Sequence, residues 1–126
     1  MLPRFNDGTI PATNSYRKWI DGYHYALRVA GCNPHITEEY EQRLYSIGFI
    51  NIQKVSFKLP QNIWPKDKSL KLLGKYNYWN TSLGLEGFSL RLFINYLGYF
   101  VPDLKKLLSG VENDIQSKAI HAYWHV

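Results

Sequence analysis

One segment of the chain, residues 49–59, alternates apolar and polar side chains in the way that is typical of a β-strand. Its apolar members are Ile50, Ile52, Val55, Phe57 and Leu59. The backbone of a strand needs hydrogen-bonding partners, and one strand in a helical chain cannot supply them itself. The sequence therefore predicts that either the N-terminal arm or a second copy of the chain pairs with this strand. We expect a homodimer with strand pairing across its twofold axis.

The rest of the sequence predicts about five helices, so the fold class is α+β and mostly α. Apolar residues at three- and four-residue spacing indicate a first helix that ends near Ala30. A short second helix ends before Gly48, and a third begins after Asp67, which can cap it. The third helix is expected to break between Gly84 and Gly87. A nearly apolar fourth helix and a last helix opened by a proline complete the set.

Length and composition predict a single domain and exclude several classes of protein. The chain has 126 residues, and residues 1–13 are expected to form an irregular N-terminal arm with a turn at residues 6–8. The net charge is +5, but the cations are spread over several predicted helices, which argues against nucleic acid as a partner. No apolar stretch is long enough for a membrane span, and no secretory signal is visible. A single cysteine, Cys32, leaves no disulfide and no zinc cluster, so we expect a cytoplasmic protein without a metal.

Five sequence segments occur in an order that resembles a known family. These segments are Leu2–Thr9, Gly48-Phe49, Trp64-Pro-Lys-Asp67, Gly84-Leu-Glu-Gly87 and His121-Ala-Tyr-Trp124. Their order resembles the C-terminal part of the fungal LaeA-type methyltransferases, an S-adenosylmethionine-dependent family of secondary-metabolism regulators and tailoring enzymes. The resemblance covers almost the whole chain. It implies a domain that keeps the sixth strand of the methyltransferase sheet and the helices that cover the substrate.

The cofactor-binding half of that family is not represented in the sequence. In the family, the cofactor lies on a glycine-rich loop after the first strand of a Rossmann-like sheet. This chain has no G-x-G motif, and Gly84 and Gly87 lie between predicted helices with no strand before them. The sequence thus predicts a truncated methyltransferase-like domain, residues 1–126, without a cofactor. Because the chain begins with Met1, a natural short protein is favoured over a fragment of a longer one.

The function expected from these features is that of a cofactor-independent cyclase or isomerase, for example a pericyclase or Diels–Alderase. Its substrate would be an apolar polyene or terpenoid intermediate of fungal secondary metabolism. Such chemistry needs a shaped apolar cavity and one or two hydrogen-bond donors, and an aromatic content of 16% suits such a cavity. The alternatives are a non-catalytic partner subunit, a fragment of a methyltransferase, or a methyltransferase whose other half is supplied in trans.

Three residues are candidates for catalysis, namely His121, Arg91 and Tyr123. His121 could act as a general acid or hydrogen-bond donor, or could simply meet the dipole of a helix C-terminus. Arg91, on a nearly apolar helix, could orient a carboxylate or polarise a carbonyl, or could form a buried structural ion pair. Tyr123 is one of several phenols that could donate to a substrate.

The candidate substrate-binding residues are mostly aromatic and are Trp64, Tyr76, Trp79, Phe88, Trp124 and His24. The resemblance places the turn at Trp64 near the substrate region of the family, whereas the spacing alone is equally typical of a core residue. His24 could act with Asp21 as an acid or base, although its helix face indicates solvent exposure.

Overall fold

The computed structural model describes residues 3–5 and 10–126, which form four helices and one small antiparallel sheet. The elements in chain order are β1 (Pro3–Phe5), α1 (Ser15–Val29), α2 (Ile36–Ser46), β2 (Lys58–Pro60), α3 (Lys68–Leu97), α4 (Val101–Gln116) and β3 (Ala122–His125). The predicted α+β class with mostly helical structure is confirmed.

Helices α1, α3 and α4 pack against one another and enclose the core. Helix α1 begins at Ser15 because the Asn14 side chain accepts a hydrogen bond from the Arg17 amide at 3.1 Å. The buried cluster joins these helices to the sheet and consists of Tyr16, Trp19, Ile20, Leu85, Phe93, Leu104, Leu108, Val111, Ile115 and Ala122.

Helix α3 is continuous over 30 residues, so the predicted break at Gly84–Gly87 is wrong and two predicted helices are one. Tertiary packing of Leu85 and Phe93 against the core outweighs the weak helix propensity of the two glycines. The helix ends at Gly98, whose φ of 69° lies in the left-handed region. Neither α3 nor any other helix of the described ranges is long and apolar enough to cross a membrane.

Strand β3 lies between β1 and β2 and is antiparallel to both. The strand predicted at residues 49–59 is present only as Lys58–Pro60, and its partner is β3 of the same chain. Because β3 supplies the backbone hydrogen-bonding partners of β2, a second copy of the chain is not needed for that purpose. The homodimer itself stays a prediction. Part of the arm predicted as irregular is β1, which pairs with β3. The predicted turn at residues 6–8 lies outside the described residues.

The backbone hydrogen bonding between β2 and β3 continues for one residue pair beyond the ends of the two strands. The amides of Phe57 and Val126 each donate to the other's carbonyl, at 2.8 and 3.0 Å, and Val126 is the last residue of the given sequence. Residues 27–59 include no buried residue. Among them, Ile50 is 79% exposed and Val55 is 67% exposed. The alternating segment therefore has the side chains of a strand but pairs with nothing among the described residues before Phe57.

Candidate ligand-binding site

An aromatic cavity of about 430 Å³ lies where α1 and α3 meet the sheet. Its aromatic walls are Trp19 and Tyr23 of α1, Phe88 of α3 and Trp124 of β3. Trp19 and Tyr23 are four residues apart on one helix face, and their rings stack with centroids 5.3 Å apart. The volume lies in the range of small-molecule sites, and flat apolar walls suit an aromatic or polyene ligand.

Hydrogen bonds on the protein side hold both tryptophans of this cavity. Trp19 Nε1 donates to Ser89 Oγ at 2.7 Å, and Trp124 Nε1 donates to Gln61 Oε1 at 2.7 Å. The single polar atom of each indole is thus satisfied within the protein. Both indole rings are therefore held in a fixed orientation. Trp124 is partly exposed and offers apolar surface to the cavity, whereas Trp19 is 3% exposed and stacks on Tyr16 and Tyr23.

Gln61 joins three parts of the fold behind the cavity. Its side chain is 1% exposed, and its Oε1 accepts a second hydrogen bond from Tyr16 Oη at 2.9 Å. Burial raises the pKa of Tyr16, so its hydroxyl keeps the proton that it donates. Gln61 Nε2 is buried and has no hydrogen-bond partner within the described part of the chain. One amide oxygen therefore links α1, the segment after β2, and β3.

Polar groups line the α3 side of the aromatic cavity at Asn77, Asn80 and Thr81. Asn77 Nδ2 donates to the Pro60 carbonyl at 2.9 Å, which leaves its Oδ1 as an acceptor. Tyr23 is the one ionisable side chain in the described lining, and burial, followed by the nearby Cys32, raises its pKa. The cavity therefore suits an uncharged, mainly apolar ligand that carries a hydroxyl or carbonyl group.

Two of the nine predicted site residues, Phe88 and Trp124, come together in this cavity. Trp64 and His121 contact each other outside its lining, with ring centroids 4.8 Å apart. Trp64 is held there because its Nε1 donates to the Ala122 carbonyl at 2.9 Å. Their arrangement is that of a packed aromatic pair beside the sheet.

Two other groups of predicted site residues lie away from the aromatic cavity. Successive residues of a strand point to opposite faces of the sheet, so Tyr123 lies across β3 from Trp124, where Lys58 Nζ is 4.6 Å from its ring centroid. Tyr76 and Trp79 contact each other edge to face on α3, with 58% and 47% of their surfaces exposed.

The solvent exposure of Arg91 and of His24 differs from what the sequence predicted. Arg91 is exposed and forms no ion pair within residues 3–5 and 10–126, so the buried structural ion pair that was one of its two predicted alternatives is not formed. His24 is partly buried rather than solvent-exposed, and its ring is 5.8 Å from the His35 ring. Burial lowers the pKa of His24 to about 4, so the imidazole is neutral near pH 7.

Trp19 and Tyr23 belong to the apolar stripe from which the sequence predicts the first helix, and the predicted site residues did not include Asn77, Asn80 or Thr81. A signal was available on α3. Asn77 and Thr81 are four residues apart, and eleven residues, or about three turns, separate Asn77 from Phe88. These three side chains therefore share one face, on which two polar groups interrupt an otherwise apolar stripe.

Comparison with known proteins gives three informative relatives, all fungal. The chain is 30% identical to a probable methyltransferase, tdiE, of Emericella nidulans over 121 residues, which are 96% of the chain and 38% of that protein. It is 31% identical to the methyltransferase pytC of Aspergillus terreus, over 92% of the chain and 36% of the relative. It is 27% identical to a secondary metabolism regulator of Cochliobolus heterostrophus, over 98% of the chain and 40% of the relative. No protein-family profile and no solved structure matches the chain.

Proposed function

Since the chain is a relative of the C-terminal part of the fungal LaeA-type methyltransferases and spans about two fifths of their length, we propose that it is the substrate-binding part of such a protein. In this proposal, the aromatic cavity holds the molecule that is modified. A cofactor-binding sheet, in the same polypeptide or in another, joins the chain along residues 49–56.

The described glycines do not fit the S-adenosylmethionine that the family implies. Gly84 and Gly87 lie inside α3 rather than in a loop after a strand. A methyl group at Gly84 would lie 2.5 Å from the Phe88 ring, and one at Gly74 would lie 2.0 Å from the Asn62 carbonyl oxygen. Gly74 serves close packing between α3 and the loop after β2, and none of these three glycines lies in a loop that follows a strand. We therefore assign no step of methyl transfer to the residues of this chain.

The exposed apolar segment is the observation that carries the proposal. Residues 27–59 contain no buried residue, although several of their side chains are large and apolar. Ile47, Phe49 and Phe57 are 72%, 57% and 65% exposed. Exposed apolar side chains concentrated in one segment are typical of a surface that binds another protein, which supports the proposal. Within the described residues, the backbone amides of residues 50–56 donate to no backbone carbonyl. A strand from a partner could therefore pair with them.

The aromatic cavity supplies the substrate-binding role in this proposal. Trp124 and Phe88 offer apolar surface to a ligand, which favours contact with a planar group. Trp19 is 3% exposed and stacks on Tyr16 and Tyr23, so it supports the wall from behind. Asn77 Oδ1 can accept a hydrogen bond from a substrate hydroxyl, and the Asn80 carboxamide can donate one to a carbonyl. The residues of this chain thus bind and orient the substrate, which is the contribution that positioning makes to catalysis.

The proposal is tested by co-expressing the full chain with the remaining, cofactor-binding portion of the Emericella nidulans relative. We expect the two polypeptides to co-purify, and we expect hydrogen exchange at residues 50–56 to slow in the complex. S-adenosylmethionine binding, measured by isothermal titration calorimetry, should occur in the complex and not in the chain alone.

Two variants make this experiment specific. Val55→Asp places a charge where an exposed apolar side chain would be covered, so it should abolish co-purification. Ser56→Asp adds the same charge at a neighbouring exposed polar residue and should weaken co-purification much less. Unchanged exchange at residues 50–56 in a stable complex, or equal effects of the two variants, would contradict the proposal.

A cofactor-independent cyclase or isomerase is the second candidate, and the chemistry of the aromatic cavity favours it. Aromatic walls could hold an apolar polyene in a reactive conformer, and the Asn80 amide could donate to a carbonyl on which charge develops. This activity would belong to the chain alone. Turnover of a polyene by the purified chain, lost on Trp124→Ala and retained in Trp79→Ala, would support the cyclase over the substrate-binding part of a methyltransferase.

A further inference from the structure

We propose that a second cavity, the basic groove, binds an amphipathic anion, that is, a linear apolar molecule with a carboxylate at one end. The basic groove has a volume of about 760 Å³. It is lined by Asn62, Ile63, Lys68, Lys71, Leu72, Lys75, Tyr78 and Gln116. It shares no lining residue with the aromatic cavity, so the inference is independent of the function proposed above.

The charge of the basic groove has one sign. Lys68, Lys71 and Lys75 follow one another at intervals of three and four residues on α3, so their stems lie along one helix face. No carboxylate belongs to the described lining. Three cations around one concave surface raise the local concentration of an anion and favour its binding.

The acidic side chains nearest to the groove are engaged by other groups. Asp67 caps α3, since its Oδ1 accepts from the Leu70 amide at 2.8 Å. Glu112 accepts hydrogen bonds from Tyr78 Oη at 3.1 Å and from Ser82 Oγ at 2.5 Å. Neither carboxylate forms a salt bridge with a groove lysine among the described residues. Lys68 and Lys71 are therefore available to a ligand, while the Lys75 ammonium lies 4.8 Å from the centroid of the Trp79 ring.

The floor of the basic groove is apolar, and this distinguishes it from a simple phosphate site. Ile63, Leu72 and Tyr78 contribute apolar side chains to the lining, and Leu72 is 53% exposed. A small inorganic anion would leave this apolar surface in contact with water. A ligand that joins an apolar chain to an anionic head would cover the floor and reach the lysines at once.

The shape of the groove is fixed by Asn62, which is 3% exposed. Its Nδ2 donates to the carbonyls of Ile115 and Ser117, both at 2.9 Å. Its Oδ1 accepts from the Trp64 amide at 2.9 Å. The loop after β2 is thereby tied to the end of α4, so the floor is formed before a ligand arrives, which lowers the cost of binding.

The test uses decanoate as the probe and follows the backbone amide signals of the full chain by two-dimensional NMR. We expect decanoate to shift the signals of residues 62–63 and 68–78. Decanol, which has the same tail without the charge, and inorganic phosphate, which has charge without a tail, should each bind at least about tenfold more weakly.

Matched double variants locate the site. Lys68→Gln with Lys71→Gln should weaken decanoate binding about tenfold, since two of the three cations are lost. Lys105→Gln with Lys106→Gln removes the same charge from an exposed face of α4 and should leave the affinity unchanged. Both pairs of residues are exposed, so folding is not at risk, and the thermal unfolding midpoint checks this.

Three results would overturn the proposal. The first is decanol binding as tightly as decanoate, and the second is phosphate competing with decanoate on equal terms. The third is binding to phosphatidylserine vesicles without binding of monomeric decanoate, which would indicate a membrane surface as the ligand instead.

Discussion

At the scale of single residues, Gln61 connects distant parts of the chain through one side-chain oxygen atom. Its Oε1 accepts hydrogen bonds from Tyr16 and Trp124, which come from opposite ends of the chain. Tyr16 is fully buried and Trp124 is partly buried, and a buried donor left without an acceptor costs more than the hydrogen bond itself gains. The cavity wall formed by Trp124 therefore depends on a residue that does not line the cavity.

Replacing Gln61 by leucine tests this dependence. The Gln61→Leu variant should lower the free energy of unfolding by about 2–3 kcal/mol, because the buried Tyr16 hydroxyl and the partly buried Trp124 indole lose their acceptor. Urea unfolding followed by tryptophan fluorescence measures the change. Asn113→Leu, at an exposed position of α4, serves as the control and should change stability by less than about 0.5 kcal/mol. Equal effects of the two variants would mean that the Gln61 oxygen is not a structural acceptor.

At the scale of elements, helix α3 shows how close packing explains one glycine and leaves another free. Gly74 is buried against the loop after β2, where an added methyl group would lie 2.0 Å from the Asn62 carbonyl oxygen. Gly87 lies in the same helix and faces open space, with no atom within 4 Å of an added methyl group. A side chain larger than hydrogen is thus excluded by close packing at Gly74 but would meet no steric obstacle at Gly87.

Alanine at each of these positions should therefore change stability in opposite directions. Gly74→Ala should destabilise the protein by about 1–3 kcal/mol, because α3 must move away from the loop. Gly87→Ala should stabilise it by about 0.5–1 kcal/mol, because alanine is the better helix former. Thermal unfolding of both variants provides the measurement. A stabilised Gly74→Ala variant would show that the helix and the loop are not in contact.

The sequence predicted the elements whose signals are local. Helices α1, α2 and α4 follow from periodicity and capping, and the strand character of Leu59 follows from alternation. The continuity of α3 could not be predicted, since it depends on packing that outweighs Gly84 and Gly87. Strands β1 and β3 were missed because they have three and four residues and are specified by pairing with each other.

The candidate site was predictable only in part for a similar reason. Phe88 and Trp124 were singled out as aromatic candidates, but their meeting with Trp19 depends on how α1 packs against the sheet. His121 and Tyr123 are neighbours of Trp124 in sequence, yet the cavity lining includes neither. A strand alternates its side chains between two faces, so closeness in sequence does not give closeness in the site.

At the scale of the whole molecule, the chain divides into a packed part and an exposed part. The packed part is built from α1, α3, α4 and the sheet, whereas α2 has no buried residue. Ordering a backbone segment costs conformational entropy, which burial normally offsets. Residues 27–59 bury little within the chain, and a partner surface would supply that burial.

In the absence of another partner, we expect this surface to pair with itself and form the predicted homodimer. Native mass spectrometry of the full chain should then show a dimer, in which residues 49–56 of two copies pair antiparallel. Val55→Asp should shift the population to monomer, while Ser56→Asp should leave mostly dimer. A wild-type chain that is monomeric at micromolar concentration would contradict this prediction.

The position of β3 in the sheet has a consequence for synthesis of the chain. It is the central strand, and it is formed by Ala122–His125, within the last five residues of the given sequence. Neither β1 nor β2 can find its partner until the ribosome has released these residues, although α1 and α2 emerge much earlier. We therefore expect helices to form during translation, while the sheet, and with it the wall that Trp124 gives to the aromatic cavity, can close only after the residues of β3 have been synthesised.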